Sequence, residues 1–160
     1  TGASTPKPGT STIPREKCME TLESNSLLQA TLYVKGLNLG VDRVSDVLGV
    51  APTSIYRKGE PKIRGRDRPV YATNTWKLSL KKQSPDVSGI LLELLAMLKP
   101  KVHPVEIEGA DDVFVDIFMA STVEAGDLGA SIEWQLTTDA LHALSRFGLP
   151  VRFSVCNVEP

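Results

Sequence analysis

Every strand-like segment of this chain alternates, and each alternation leaves one polar face. In 30–35, Ala30, Leu32 and Val34 fall on one side and Thr31, Tyr33 and Lys35 on the other. Trp76, Leu78 and Leu80 share a side in 75–81, and Val113, Val115, Ile117 and Met119 alternate with Phe114, Asp116 and Phe118. Ile132, Trp134 and Leu136 alternate with Ser131, Glu133 and Gln135, and Val151, Phe153 and Val155 make a last strand. A period of two belongs to an extended chain with one wet face. A sheet covered by helices on both sides reads instead as continuous apolar runs. The pattern predicts an α+β fold: a single mixed, largely antiparallel sheet with helices packed on one face, ferredoxin-like in spirit.

Three helices fill the intervals. Val41, Val44, Val47 and Leu48 follow helical spacing, and Gly49 is placed to end that helix in a left-handed conformation. Ser84-Pro85-Asp86 reads as a helix start, with Ser84 as the cap. Val87, Ile90, Leu91, Leu94, Leu95 and Leu98 then form an apolar stripe that Pro100 stops. Thr137 or Thr138 caps a last helix with Ala140, Leu141, Leu144 and Phe147 inward, ended by Gly148 and Pro150. Residues 50–74 show no sustained period and read as a long loop. Gly126, Asp127 and Gly129 predict a hairpin between the strands at 113–119 and 131–136. The expected order is β-α-β-α-β-β-α-β.

A chain of 160 residues holds one such domain. The expected division is a flexible segment at 1–26 and a single α+β domain at 27–160. Eleven of the first 14 residues are Thr, Ser, Pro or Gly, and Met19 is a natural start, so 1–18 reads as a leader, linker or cloning remnant. No run approaches 18 apolar residues, so no membrane is expected. Two cysteines, Cys18 and Cys156, are too few for a disulfide framework and suggest a reducing, cytoplasmic setting.

The chemistry of catalysis is sparse. His103, beside a proline, and His142, on the last helix, are the only bases that titrate near neutrality. No nucleophile elbow, metal-ligand spacing or glycine-rich phosphate loop accompanies them, so neither an enzyme, a metal nor a cofactor is expected. Asp111, Asp112 and Asp116 read as a turn and one strand position rather than a cation site.

Charge carries more information. The net charge of −1 hides a division: residues 1–83 carry +7 and residues 84–160 carry −8. The positive part concentrates at Arg57, Lys58, Lys62, Arg64, Arg66 and Arg68, against Glu60 and Asp67, with Tyr56 and Tyr71 on either side. Such a loop can hold phosphate or an acidic protein surface, or simply be solvated. Lys58-Gly59-Glu60-Pro61 fits a structural turn, with Gly59 supplying a positive φ and Glu60 pairing or capping. The polar sheet face is expected to collect Tyr33, Lys35, Lys77, Lys81, Phe114, Phe118, Asp116, Glu133 and Arg152. Exposed phenylalanines there suit a protein partner or a second copy of the chain. The acids of the second half could instead cover a basic toxin site.

Leu48-Gly49-Val50-Ala51-Pro52-Thr53, Arg57-Lys58-Gly59-Glu60 and the later Trp76 strand resemble a family of small, mostly bacterial domains known as domain of unknown function 4279. The Leu-rich helix and Leu141-x-x-Leu144-x-x-x-Gly148 are similar to it as well, so the resemblance covers roughly 28–158. It implies no activity, but some members are thought of as immunity-type proteins beside bacterial toxins. The function expected is therefore non-enzymatic protein binding, as an immunity protein neutralising a toxin. The alternative is a nucleic-acid or small-anion binding module using loop 57–68. The candidate contacts are Arg57, Lys58, Glu60, Arg64, Arg66, Tyr33, Phe114, Phe118, Asp116 and Glu133.

Overall fold

A computed structural model describes residues 26–62, 69–122 and 134–158. The elements, in chain order, are β1 (Ser26–Gly36), α1 (Val41–Leu48), β2 (Ser54–Tyr56), β3 (Asn74–Lys82), α2 (Val87–Ala96), a 3-10 turn at Pro104–Glu106, β4 (Asp112–Thr122), α3 (Thr138–Phe147) and β5 (Val151–Val158). The strands form one mixed sheet in the order β2-β3-β1-β4-β5. β1 pairs antiparallel with β3 and β4, β2 pairs antiparallel with β3, and β5 runs parallel to β4. The α+β architecture expected from the alternation is present.

The apolar side of each central strand meets the helices in one core. Ala30, Leu32, Val34, Trp76, Val115 and Ile117 pack there with Val44 and Leu48 of α1, Ile90, Leu91 and Leu94 of α2, and Ala140, Leu144 and Phe147 of α3. Trp76 is fully buried, and its indole N–H donates to the Ser45 hydroxyl at 3.0 Å. A buried indole needs that partner, because the group would otherwise lose its water for nothing. Gly49 and Gly148 end their helices at φ 74° and 64°, as their positions predict.

Several expectations require correction. Asp86, not Ser84, caps α2: its carboxylate accepts from Gly89 N–H at 2.8 Å, while Ser84 Oγ accepts from Asp86 N–H. A carboxylate answers the free N–H groups and the helix dipole together. Leu141 is half exposed rather than inward, because Ala140, Leu144 and Phe147 lie at offsets 0, 4 and 7 and leave it beside the buried stripe.

Segment 50–74 is not a structureless loop. It contains β2, then a narrow ribbon closed by Gly59 N–H to Tyr71 O, Tyr71 N–H to Glu60 O, and Lys62 N–H to Pro69 O. Pro61 lies across from Val70 in an isolated bridge. Three residues of strand and a proline are too short to show a period.

Lastly, the described part of 131–136 is no strand. Residues 134–137 run without regular structure, anchored where Ser88 Oγ donates to Gln135 O and accepts from Thr137 N–H. The chain crosses from β4 to its parallel neighbour β5 through α3, and a parallel pair needs such a crossover. Residues 123–133, with the hairpin residues Gly126, Asp127 and Gly129, lie outside the described residues.

Cys156 is buried and disulfide-bonded, which removes the support that the cysteine count lent to a reducing compartment. Cys18 lies outside the described residues. Among the described residues, no helix is long and apolar enough to cross a membrane.

Candidate functional site: a cation and aromatic array on the sheet

The side of the sheet away from the helices follows from the register. Ser54 of β2, Lys77 of β3, Tyr33 of β1 and Phe114 of β4 stand in one cross-strand row. Tyr56, Thr75, Lys35 and Asp112 form the next, and Ser79, Thr31, Asp116 and Arg152 the row on the other side. Directly opposed side chains in such rows are close enough to interact.

Here they build a continuous array of rings and cations. Tyr33 stacks on Phe114 with centroids 5.0 Å apart, and Tyr56 stacks on Tyr71 at 4.4 Å. Lys77 Nζ lies 5.2 Å from the Tyr33 centroid and 5.3 Å from that of Tyr56, bridging the two stacks. Lys35 Nζ lies 4.8 Å from Tyr33 and 5.0 Å from Phe114. The Arg152 guanidinium covers Phe114 at 3.6 Å, and Lys62 lies 5.7 Å from Tyr71. The rings' negative faces attract the cations, each contact worth ~0.5–1 kcal/mol where exposed.

The array explains the burial of Phe114, which is only 4% exposed. Tyr33, Lys35 and Arg152 roof it over. Phe118 is also buried, in a small cluster with Ala120 and Cys156. The expectation of two exposed phenylalanines is therefore corrected. Period-two reasoning assigns a side to each residue but does not show what its cross-strand neighbours lay over it.

The charges on this face are unequally satisfied. Arg152 pairs with Asp112 at 3.0 Å, and Asp116 accepts from Ser154 Oγ at 3.2 Å. Thr31 and Ser79 hydroxyls bond each other at 2.9 Å. Neither Lys35 nor Lys77 has an ion-pair partner among the described residues. Burial pushes the Lys35 ammonium below its ordinary value; Asp112 opposes this, while Arg152 and Lys77 add to it. Burial likewise raises the Tyr33 hydroxyl, helped by Asp116 and Tyr56.

The other candidates lie elsewhere. Arg57 pairs with Asp42 at 3.3 Å, and its backbone N–H donates to the Glu60 carboxylate at 3.0 Å. Lys58 N–H donates to Asn74 Oδ1 at 2.9 Å, and Gly59 turns at φ 84°. Around Lys58-Gly59-Glu60 these contacts make a structural turn. Arg64, Arg66, Arg68 and Glu133 lie outside the described residues.

Among the second-half acids, Glu108 pairs with Arg43 at 3.1 Å, and the Asp111 carboxylate accepts from Leu37 N–H. The Arg43–Glu108 pair edges a shallow hollow of about 410 Å³ that includes Asn38, Val47 and Ile107. His103 and His142 are both exposed and far apart in the chain, on the 3-10 turn and on α3. Among the described residues, no group of three His, Cys, Asp or Glu is placed to hold a metal ion.

Sequence reasoning placed Tyr33, Lys35, Lys77, Phe114 and Arg152 on one face but missed Tyr56, Lys62 and Tyr71 as members of the array. The signal for Tyr56 was its position two residues after the start of a short strand. That strand was hidden within the aperiodic segment.

A family model described as Domain of unknown function (DUF4279) matches residues 26–157, from the start of β1 into β5. No curated protein and no solved structure matches the chain significantly.

Proposed function

We propose that this chain, which belongs to the Domain of unknown function (DUF4279) family, is a non-enzymatic protein-binding domain that docks its partner on the exposed sheet face. The observation that carries the reading is the array itself. Aromatic rings held by stacking and capped by cations offer a large contact area at little further entropy cost, as interface anchors do. Lys35 and Lys77, without an ion-pair partner among the described residues, give the face a sign, which selects an acidic partner surface and rejects a basic one.

The narrower form of the proposal is an immunity-type protein that neutralises a bacterial toxin. On this reading the toxin meets the domain with an acidic surface. The opposite arrangement, second-half acids over a basic nuclease site, is poorly supported: Glu108, Asp111, Asp112 and Asp116 are each engaged within the domain.

The alternative, a nucleic-acid platform, is less well supported by the same geometry. The ring faces are already occupied: Tyr56 and Tyr71 cover each other, and Lys77 and Lys62 lie over their rings. A base stacking there would have to displace a lysine.

Capture from a bacterial lysate, with and without nuclease, tests the proposal against a Lys35→Glu/Lys77→Glu variant. The expected result is one stoichiometric protein, kept after nuclease by the wild type and lost by the variant. Bound material that disappears with nuclease, or equal capture by the variant, would overturn it.

A further inference from the structure

We infer that Lys35 and Lys77, held over the Tyr33 ring, form an anion seat, and that its occupant is a pair of carboxylate side chains on an acidic segment of a partner protein. The inference rests on the docking reading above and gives it a ligand chemistry.

Both ammoniums lie over one ring, at 4.8 and 5.2 Å from its centroid, and each is steadied by a second ring, Phe114 for Lys35 and Tyr56 for Lys77. A lysine normally loses considerable rotamer freedom when it binds. Two ring contacts per ammonium restrict these side chains in advance, so an incoming anion meets cations already in place.

The electrostatics point the same way. The groups facing Lys35 are Asp112, Asp116, Lys77 and Arg152. Asp112 is already bound by Arg152, and Asp116 accepts from Ser154. Asp112 offsets part of the charge on Lys35, but Lys35 and Lys77 repel one another across a partly dry surface, and neither has an ion-pair partner among the described residues. An anion placed over them relieves that repulsion and is itself stabilised more strongly than in bulk water.

The donor set decides the class of anion. A phosphate group favours converging donors or a guanidinium fork. Among the described residues, the guanidinium in the array, that of Arg152, is bound to Asp112, and the nearby Thr31 and Ser79 hydroxyls are engaged with each other. What remains beside the Tyr33 ring is two separate point charges. They lie on adjacent strands, Lys77 opposite Tyr33 and Lys35 one pleat further along β1. That spacing suits two singly charged groups along an extended chain, where alternate side chains share a face.

The test is a titration of the isotopically labelled full chain by amide NMR. The probes are a hexaglutamate peptide, inorganic phosphate and a single-stranded oligothymidine. Hexaglutamate is expected to shift the amides of Tyr33, Lys35 and Lys77. Lys35→Gln and Lys77→Gln should each weaken it roughly fivefold. The exposed-turn variant Lys101→Gln, with the same charge change, should leave it intact, and Lys35→Arg should retain it.

Equal weakening by Lys101→Gln would reduce the effect to general charge and overturn the seat. So would phosphate or oligothymidine shifting this face while hexaglutamate does not. If hexaglutamate fails but wild-type capture still depends on the face, the seat falls and the docking reading stands. If both fail, both fall.

Discussion

Replacing Gly36 by alanine should damage this fold more than any other single methyl added to a described glycine of ordinary φ outside the α2 cap. Gly36 ends β1, where the 107–111 turn crosses it. A Cβ built there lies 1.8 Å from Gly109 O, 2.9 Å from Gly109 C and 3.3 Å from Ala110 Cα. All three are backbone atoms, so no side chain can swing aside. The turn cannot retreat freely either. Gly109 sits at φ 82°, and the Asn38 carbonyl already lies 2.6 Å from where its own Cβ would be.

Two hydrogen bonds hold this junction, Asp111 N–H to Lys35 O and Leu37 N–H to the Asp111 carboxylate, each at 2.8 Å. Overpacking costs about 1–3 kcal/mol, and each bond that is lost adds about 1 kcal/mol. The expected penalty is about 3–5 kcal/mol, a large part of the ~5–15 kcal/mol available to a domain. At about 2–4 °C per kcal/mol for a chain of this size, the melting temperature should fall by roughly 10 °C.

Urea denaturation reads the free energy directly, and two further variants separate the causes. Gly59 has φ 84° with nothing near its Cβ position, so Gly59→Ala should cost only the backbone term, about 1 kcal/mol. Gly40 has φ −80°, and its Cβ would meet only Arg43 side-chain atoms at 3.6 Å and beyond, so Gly40→Ala should be near neutral. A Gly36→Ala protein within about 1 kcal/mol of wild type, or more stable than Gly59→Ala, would refute the steric reasoning.

Lys35 makes stability depend on alkaline pH. Burial lowers its folded pKa below the ordinary 10.5, so the unfolded chain holds that proton to higher pH than the fold does. Stability should therefore rise relative to a Lys35→Met variant as pH climbs through that window. The absolute stability of both proteins should turn down above about 10, where the unfolded tyrosine ionises before the buried Tyr33 does. Urea midpoints for both proteins across that range check it, and parallel curves would exclude it. Ser45→Ala should cost about 1–3 kcal/mol by stranding the buried Trp76 indole N–H, read in the same melts; a neutral result would mean that water reaches the indole.

Local chemistry was readable where short-range interactions decide the outcome. Ala30, Leu32 and Val34 alternate against a wet face because a pleat has period two, whatever the strand pairs with. Gly49 and Gly148 end helices because a left-handed residue is cheapest without a Cβ. The cap of α2 was misassigned within two residues, since Ser84 and Asp86 both offer an oxygen at the right spacing and only the backbone angles choose between them. The ribbon at 59–71 escaped notice because its pairing runs between residues about a dozen apart with no repeated apolar side chain to announce it.

The division into a basic first half and an acidic second half is written in the chain. That they meet is not. β1 takes β3 on one edge and β4 on the other, which puts Lys77 and Asp112 on one surface with Tyr33 between them. From the sequence come the residues of the face, their alternation and the class of fold. Strand order decides which of them touch: that Phe114 is roofed, that Arg152 is spent on Asp112, and that Lys35 and Lys77 remain unpaired among the described residues. Pairing between residues as far apart as Gly36 and Asn74 or Lys35 and Asp112 is a choice made by the whole core, so no local pattern could contain it.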